Sequence, residues 1–195
     1  QHLHKEAASA AAKAGKHIFC EKPMALSVTD AEAMLQAAEE AGVVHYLNHN
    51  YRRTPAVRLA RQLIDEGRIG RIFHWRGAYQ QDWIVDPEFP LTWHLRKETA
   101  GSGPHGDLNS HSVDLAHYLV GSIKTVSCLT ASFIKERPLP GEGAATFSAG
   151  AGANTAKGEV TVEDASLMMV EFSSGAVGSF EATRFAPGRK NHHTF

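Results

Sequence analysis

Apolar and polar positions keep one rhythm up to about residue 50 and a different one after it. His4 to Ala14 is rich in Ala and other helix formers, and Gly15 is a natural stop. Lys16–Cys20, with its apolar run Ile18 to Cys20, reads as a short buried strand. Ser27-Val28-Thr29-Asp30 opens a second helix, with Ser27 as N-cap and acidic Asp30 in the first turn. Ala31, Met34, Leu35, Ala38 and Ala41 recur at helical spacing until Gly42. Val43–Leu47 is the next strand and runs into the polar cluster Asn48-His49-Asn50-Tyr51-Arg52. Helix, strand, helix, strand implies parallel strands joined by right-handed crossovers, part of a doubly wound sheet.

A helix from Thr54-Pro55 follows, with Val57, Leu59, Ala60, Leu63 and Ile64 as its apolar face and Gly67 and Gly70 as its end. Strict alternation then takes over. Arg71 to Trp83 reads as one long strand, and Asp86 to Trp93 as a loop rich in Pro and aromatic residues. Asp107 to Val120 is a helix that buries Leu108, Val113, Leu115, Ala116, Leu119 and Val120. Ile123–Ile134, Glu159–Phe172 and Gly175–Arg184 carry strand patterns, with a hairpin turn at Ser173-Ser174-Gly175. Glu136 to Gly158, rich in Gly, Ala, Pro and Thr, reads as a loop or mobile insertion. The expected fold class is α/β followed by α+β, divided into residues 1–50 and 51–195.

Composition removes several function classes. Twenty basic against 21 acidic residues give a net charge of -1, so no nucleic-acid partner is implied. No apolar run approaches the ~20 residues that span a bilayer, so no membrane partner is implied. Cys20 and Cys128 both lie in apolar runs and read as small buried hydrophobes, in keeping with a reducing, cytoplasmic compartment. The chain opens without Met and stops without a terminating pattern, and so reads as an internal fragment.

Two polar constellations carry the candidate chemistry. Glu21 and Lys22 stand at the carboxyl end of the first strand, where open α/β sheets bind ligands, and Pro23 restricts the backbone beside them. The plain alternative is a surface ion pair in a turn. The second runs from Gly101 to His111. Asp107 and His111 lie four positions apart, one helical turn, with Asp114 on the same side. A carboxylate beside an imidazole holds its tautomer and raises its basicity, which suits proton transfer. An N-capping Asp107 on a polar helix face is the alternative. Gly101 to Gly106 matches G-x-G-x-x-G in letters only, because no buried strand precedes it. Such glycines more simply permit close approach of backbone or ligand.

His105, Asp107, His111, Asp114 and His117 raise a metal site, but neither H-E-x-x-H nor a Cys pair at ligand spacing accompanies them, and no metal is expected. Trp75, Trp83 and Trp93 read as core or lid residues, with a sugar-stacking wall as the alternative. His192-His193 is an isolated pair of little weight.

Glu21-Lys22-Pro23 after a short strand resembles the E-K-P signature of the glucose-fructose oxidoreductase/inositol dehydrogenase/rhizopine-catabolism (Gfo/Idh/MocA) oxidoreductases. Gly101 to Gly121 resembles their Gly-rich lead and D-x-x-x-H-x-x-D helix, and Asn50-Tyr51-Arg52 a segment at their domain junction. Gln80 to Trp93 looks most like the inositol and levoglucosan dehydrogenase branch. The resemblance implies the remainder of a Rossmann domain that binds NAD or NADP, without its first strands and Gly-rich loop. It also implies a substrate domain built on a large, mostly antiparallel sheet that forms homo-oligomers. The implied reaction moves a hydride between the nicotinamide and a secondary hydroxyl of a cyclic polyol or sugar. His111 is the expected base, Asp107 the residue that orients the site through the substrate or His111, and Lys22 the donor to the reacting oxygen. Glu21, Lys22, Pro23 and Asn50 are expected at the cofactor, and Tyr51, Trp83, Asp107 and His111 at the substrate. A non-catalytic binding member of the same fold and a metal-dependent hydrolase are the alternatives.

Overall fold

The computed structural model describes residues 1–141 and 156–195. Its first part is α1 (His4–Lys13), β1 (Ile18–Glu21), α2 (Val28–Glu40) and β2 (His45–Asn48). The two strands pair in parallel, Ile18 opposite His45 through Glu21 opposite Asn48, as the alternation predicts. Ser27 caps α2, its Oγ accepting the Asp30 N–H at 3.1 Å. A small core of Ala12, Ala38 and Val43 lets both helices pack close to one sheet face. Ile18 and Cys20 lie half-buried on that face. The opposite face is open: Phe19 is 68% exposed and stacks on Tyr46 at 5.3 Å between ring centroids. β1 is therefore not the buried strand its apolar run suggested, because helices cover it on one side alone.

A 3₁₀ turn, Asn50–Arg53, leads into α3 (Pro55–Asp65), and β3 (His74–Gln80) begins the second layer. Of the apolar stripe expected on α3, Val57 is buried, Ala60 and Ile64 pack against the core, and Leu59 is exposed. A 3₁₀ turn Trp93–Leu95, one helical turn α4 (Lys97–Ala100), a π-helical segment His105–Asn109 and α5 (Ser110–Leu119) come next. The strands β4 (Ile123–Ala131), β5 (Glu136–Pro138), β6 (Lys157–Glu159), β7 (Ala165–Phe172), β8 (Val177–Thr183) and β9 (His192–Thr194) complete the described chain.

Five strands form one sheet in the order β4-β7-β8-β3-β9. All neighbours are antiparallel except β3 and β8. Trp75, Met168, Val170, Phe172 and Phe180 face inward, where Val57 of α3 and Leu115, Ala116 and Leu119 of α5 cover them. β7 and β8 are joined by the expected hairpin, with Gly175 at φ 82° supplying the left-handed turn residue.

Several expectations need correction. β3 is shorter than Arg71–Trp83 because its partner β8 offers only seven paired positions, from His74–Val177 to Gln80–Thr183. The ends of the supposed loop 136–158 form an antiparallel ladder, Glu136–Glu159 to Pro138–Lys157, while 142–155 lie outside the described residues. Cys128 is exposed rather than buried, since β4 is an edge strand, and both cysteines are free. The helix expected from Asp107 begins as a π turn at His105.

That turn is held by close approach. The His105 N–H donates to Glu163 Oε1 at 2.9 Å, and Asp107 N–H to Gly103 O at 3.1 Å. A Cβ on Gly103 would lie 1.9 Å from the Glu163 carbonyl oxygen, a backbone atom that cannot swing away. Gly103→Ala is expected to destabilise the protein by about 1–3 kcal/mol or more. A urea midpoint equal to the parent's would show that the turn has room there.

Candidate active site

Lys22 leaves the carboxyl end of β1 and crosses to the π turn. Its Nζ donates to Asp107 Oδ1 at 2.8 Å and to the Asp107 carbonyl oxygen at 2.9 Å. An ammonium carries three donors, so one remains for a ligand. The other carboxylate oxygen, Oδ2, accepts from Arg184 Nη2 at 2.6 Å. Burial pushes Asp107 toward its neutral form, but Arg184 and then Lys22 outweigh it and hold its pKa down at about 2. Asp107 therefore neither caps a helix nor bonds to His111; both of its oxygens face cations.

His111 is buried, with its ring stacked on Tyr51 at 4.2 Å and 20°. Its pKa is lowered to about 3, by burial first and then by the positive charge of Lys22 and His49. Asp107 pulls the other way and loses, so the expected rise in basicity is reversed: the carboxylate's field is spent on the two cations bound to it. His111 Nδ1 has no hydrogen-bond partner among the described residues. The ring is therefore neutral, and its Nδ1 is buried.

The other expected residues divide. Glu21 accepts from Asn48 Nδ2 at 2.5 Å, across β1 and β2, and Pro23 O is held by the His4 ring at 3.0 Å. Both border Lys22. Asn50 is exposed at the start of the 3₁₀ turn. Tyr51 does reach the site, but its hydroxyl is committed. Tyr79 OH donates to Asn191 Oδ1 at 3.0 Å, so at the 2.7 Å contact between the two phenols Tyr51 is the donor. Trp83 carries the Arg184 guanidinium over its ring at 4.9 Å, which occupies one indole face. Asp114 is taken by Arg52 in a bidentate pair of 2.7 and 2.6 Å, and His105 Nδ1 lies 3.1 Å from Ser166 Oγ. Asp107, Asp114 and His105, three of the residues weighed as metal ligands, thus point to separate partners.

Sequence reasoning missed four contributors. Arg184 ends a strand and had no visible counter-ion. His49 packs edge-on to His111 at 6.3 Å, and His94 stacks on Trp93 at 3.6 Å. His193, set aside as one of an isolated pair, stacks on Tyr79 at 4.5 Å and lies 3.0 Å from Ser112 Oγ. Alternation along β9 was the available signal, since it turns one of two adjacent histidines inward.

Comparison with known proteins finds relatives along the whole chain. Residues 57–195 match the family described as "GFO/IDH/MocA C-terminal domain", and residues 1–49 match "Oxidoreductase family, NAD-binding Rossmann fold". The chain is 50% identical over 194 residues to a levoglucosan dehydrogenase of Pseudarthrobacter phenanthrenivorans, covering 100% of this chain and 50% of that protein. Among solved structures, levoglucosan dehydrogenase in its apo form superposes with a TM-score of 0.92 at 49% identity, covering 99% of this chain and 49% of that one. Its complex with NADH and levoglucosan superposes at 0.88 and 47% identity, covering 99% and 48%. The chain spans about half the length of the curated relatives it matches.

The buried imidazoles predict an acid-sensitive fold. His94, His111 and His193 have pKa values of about 4, about 3 and about 4, below the ordinary 6.5, with burial the first cause in each. Between those limits the unfolded chain binds more protons, so stability is fully present above pH 6.5 and is lost as pH falls toward 3. His49 is lowered by burial too, so Asp164, raised by burial and acting in the opposite sense, is one group against four imidazoles. The melting temperature is expected to drop steadily from pH 7 to pH 4, and His193→Gln should make that slope shallower. A slope unchanged in His193→Gln would remove that ring from the account.

Proposed function

The chain belongs to the GFO/IDH/MocA oxidoreductases, and from that premise we propose that the full-length protein oxidises a secondary hydroxyl of a cyclic sugar or polyol. Levoglucosan and the inositols represent the substrate class. The observation that carries this reading is the ion pair of Lys22 with Asp107 beside the neutral ring of His111. A carbinol oxidation needs a donor to the reacting oxygen and an acceptor for its proton, and Lys22 and His111 are side chains of those two kinds.

A bound NAD or NADP would supply the hydride acceptor for the carbinol carbon. The residues present fit the nicotinamide end of such a cofactor. Lys22 keeps one N–H uncommitted at the carboxyl end of a parallel strand, and His111 Nδ1 is unpartnered. Glu21, Lys22, Pro23 and Asn50 would border the ring. Residues 1–50 then serve as the remainder of the cofactor domain and 51–195 as the substrate domain.

Lys22 donates to the reacting oxygen and stabilises the negative charge that develops there. Asp107 fixes the direction of that donor. His111 takes the hydroxyl proton; with a pKa of about 3 it is a poor resting place for it and a strong donor in the reverse direction. Tyr51 contributes its ring and holds His111 in place, and Trp83 is the proposed wall against which the sugar rests. A non-catalytic binding module has no need of this trio. A metal-dependent hydrolase would find Asp107 and Asp114 already bound to cations.

The proposal extends to a homo-oligomer formed through the outer face of the five-stranded sheet. Leu129, Leu167 and Met169 stand exposed there beside Arg76 and Glu181, around a hollow of about 940 Å³. Two free cysteines support a cytoplasmic location. Among the described residues no helix is long and apolar enough to cross a membrane.

The test follows reduced-nicotinamide absorbance in the full-length protein with levoglucosan, inositols and glucose. Lys22→Ala and His111→Ala are each expected to lower turnover by ~10²–10⁴-fold while the circular dichroism spectrum is kept. Undiminished turnover in either variant would strike that residue from the mechanism.

A further inference from the structure

Arg184 is the charged side chain that the reaction just described does not use. It follows directly on β8 and is 1% exposed. Its backbone is pinned: Arg184 N–H donates to Asp164 O at 3.3 Å, and the next N–H, of Phe185, to Thr183 Oγ1 at 3.0 Å. The guanidinium donates from Nη2 to Asp107 Oδ2 at 2.6 Å, and its Cζ lies over the Trp83 ring, 4.9 Å from the centroid. Nε and Nη1 are buried with no hydrogen-bond partner among the described residues. A guanidinium so enclosed is costly. Packing alone would favour an apolar side chain at this position.

We propose that Arg184 is a positioning residue. It grips one oxygen of Asp107, turns the other toward Lys22, and ties the Trp83 wall to the same carboxylate. The inference rests on the dehydrogenase reading for its effect on turnover, but not for its effect on Asp107 itself. Only arginine meets the geometry, because a planar fork can stack on an indole and donate in its own plane at once. The arrangement also leaves one negative charge between two positive ones. The surplus favours an anionic oxygen beside Lys22, which is the charge a departing hydroxyl proton leaves behind.

The charged and titratable groups that face Asp107 are Lys22 from β1, Arg184 after β8, His94 from the 3₁₀ turn, His111 from α5 and Tyr79 from β3. Burial favours the neutral carboxyl and Arg184 is the first influence opposing it, so its removal should let Asp107 climb from about 2.

The experiment uses the full-length protein labelled with ¹³C-carboxyl aspartate, with no substrate present. In Arg184→Met the Asp107 resonance is expected to titrate about 1–3 units higher than in the parent. Arg184→Gln, which keeps a donor but no charge, gives the same reading where Arg184→Met does not fold. Arg184→Lys should bring the titration back most of the way. In turnover, Arg184→Met is expected to lower kcat by ~10–100-fold with the KM for the nicotinamide unchanged. Arg184→Lys should recover only part of that loss, because a lysine restores charge without the flat stack. A side chain that merely props up the fold would lower the melting temperature and leave the Asp107 titration where it was; that result overturns the proposal. If no sugar is turned over by the parent, the dehydrogenase reading fails while the titration still decides the role of Arg184.

Discussion

A buried carboxylate shared by two cations holds this structure's chemistry together. Asp107 meets Lys22 through one oxygen and Arg184 through the other. A single ion pair in such a place recovers too little of the solvation it loses. Two cations on one carboxylate recover more, and against burial they hold the Asp107 pKa down at about 2, so it stays ionised near neutral pH. The partners are 85 and 77 positions away in sequence, so the pair is also the polar seam between the βα layer and the five-stranded sheet.

Each neighbour depends on that seam. β1 brings Lys22 to a strand's carboxyl end, the π turn presents Asp107 and its carbonyl together, and β8 delivers Arg184 from the far side. The positive surplus keeps His111 neutral, since Lys22 follows burial among the causes of its low pKa. Around it the aromatic rings act as a mould. Tyr51 lies on His111, Tyr79 holds the Tyr51 hydroxyl, and His193 of the edge strand β9 lies on Tyr79. The His111 ring is thus fixed from behind through a stack that reaches the last described strand.

Much of this was legible in the linear sequence because it is local. Ser27 and Asp30 are three apart, and the cap they form is a short-range bond. The hairpin at Ser173-Ser174-Gly175 and the alternation of β7 needed only a turn and a period of two. Lys22, Asp107 and His111 stood out through the motifs around them, since a turn ion pair or a polar helix face accounts for such residues equally well when each is taken alone. What escaped was non-local. Nothing near Arg184 in sequence tells of Asp107 or Trp83. The π turn inserts a residue into a helical pattern without disturbing its apolar spacing enough to show, and it depends on Gly103 meeting Glu163, sixty positions on. Burial also misled wherever coverage decides it: Phe19, Leu59 and Cys128 are apolar in rhythm yet exposed, since none of the described elements packs over them.

If one carboxylate sets the direction of the ammonium, their contributions to turnover cannot be independent. A double-mutant cycle on kcat/KM with Lys22→Met, Asp107→Asn and the pair of changes together measures that dependence directly. The account predicts that the second change costs far less once the first is made, with a coupling energy of at least about 1 kcal/mol. Strictly additive losses would mean that Lys22 and Asp107 act separately, and the site described here would not be one site.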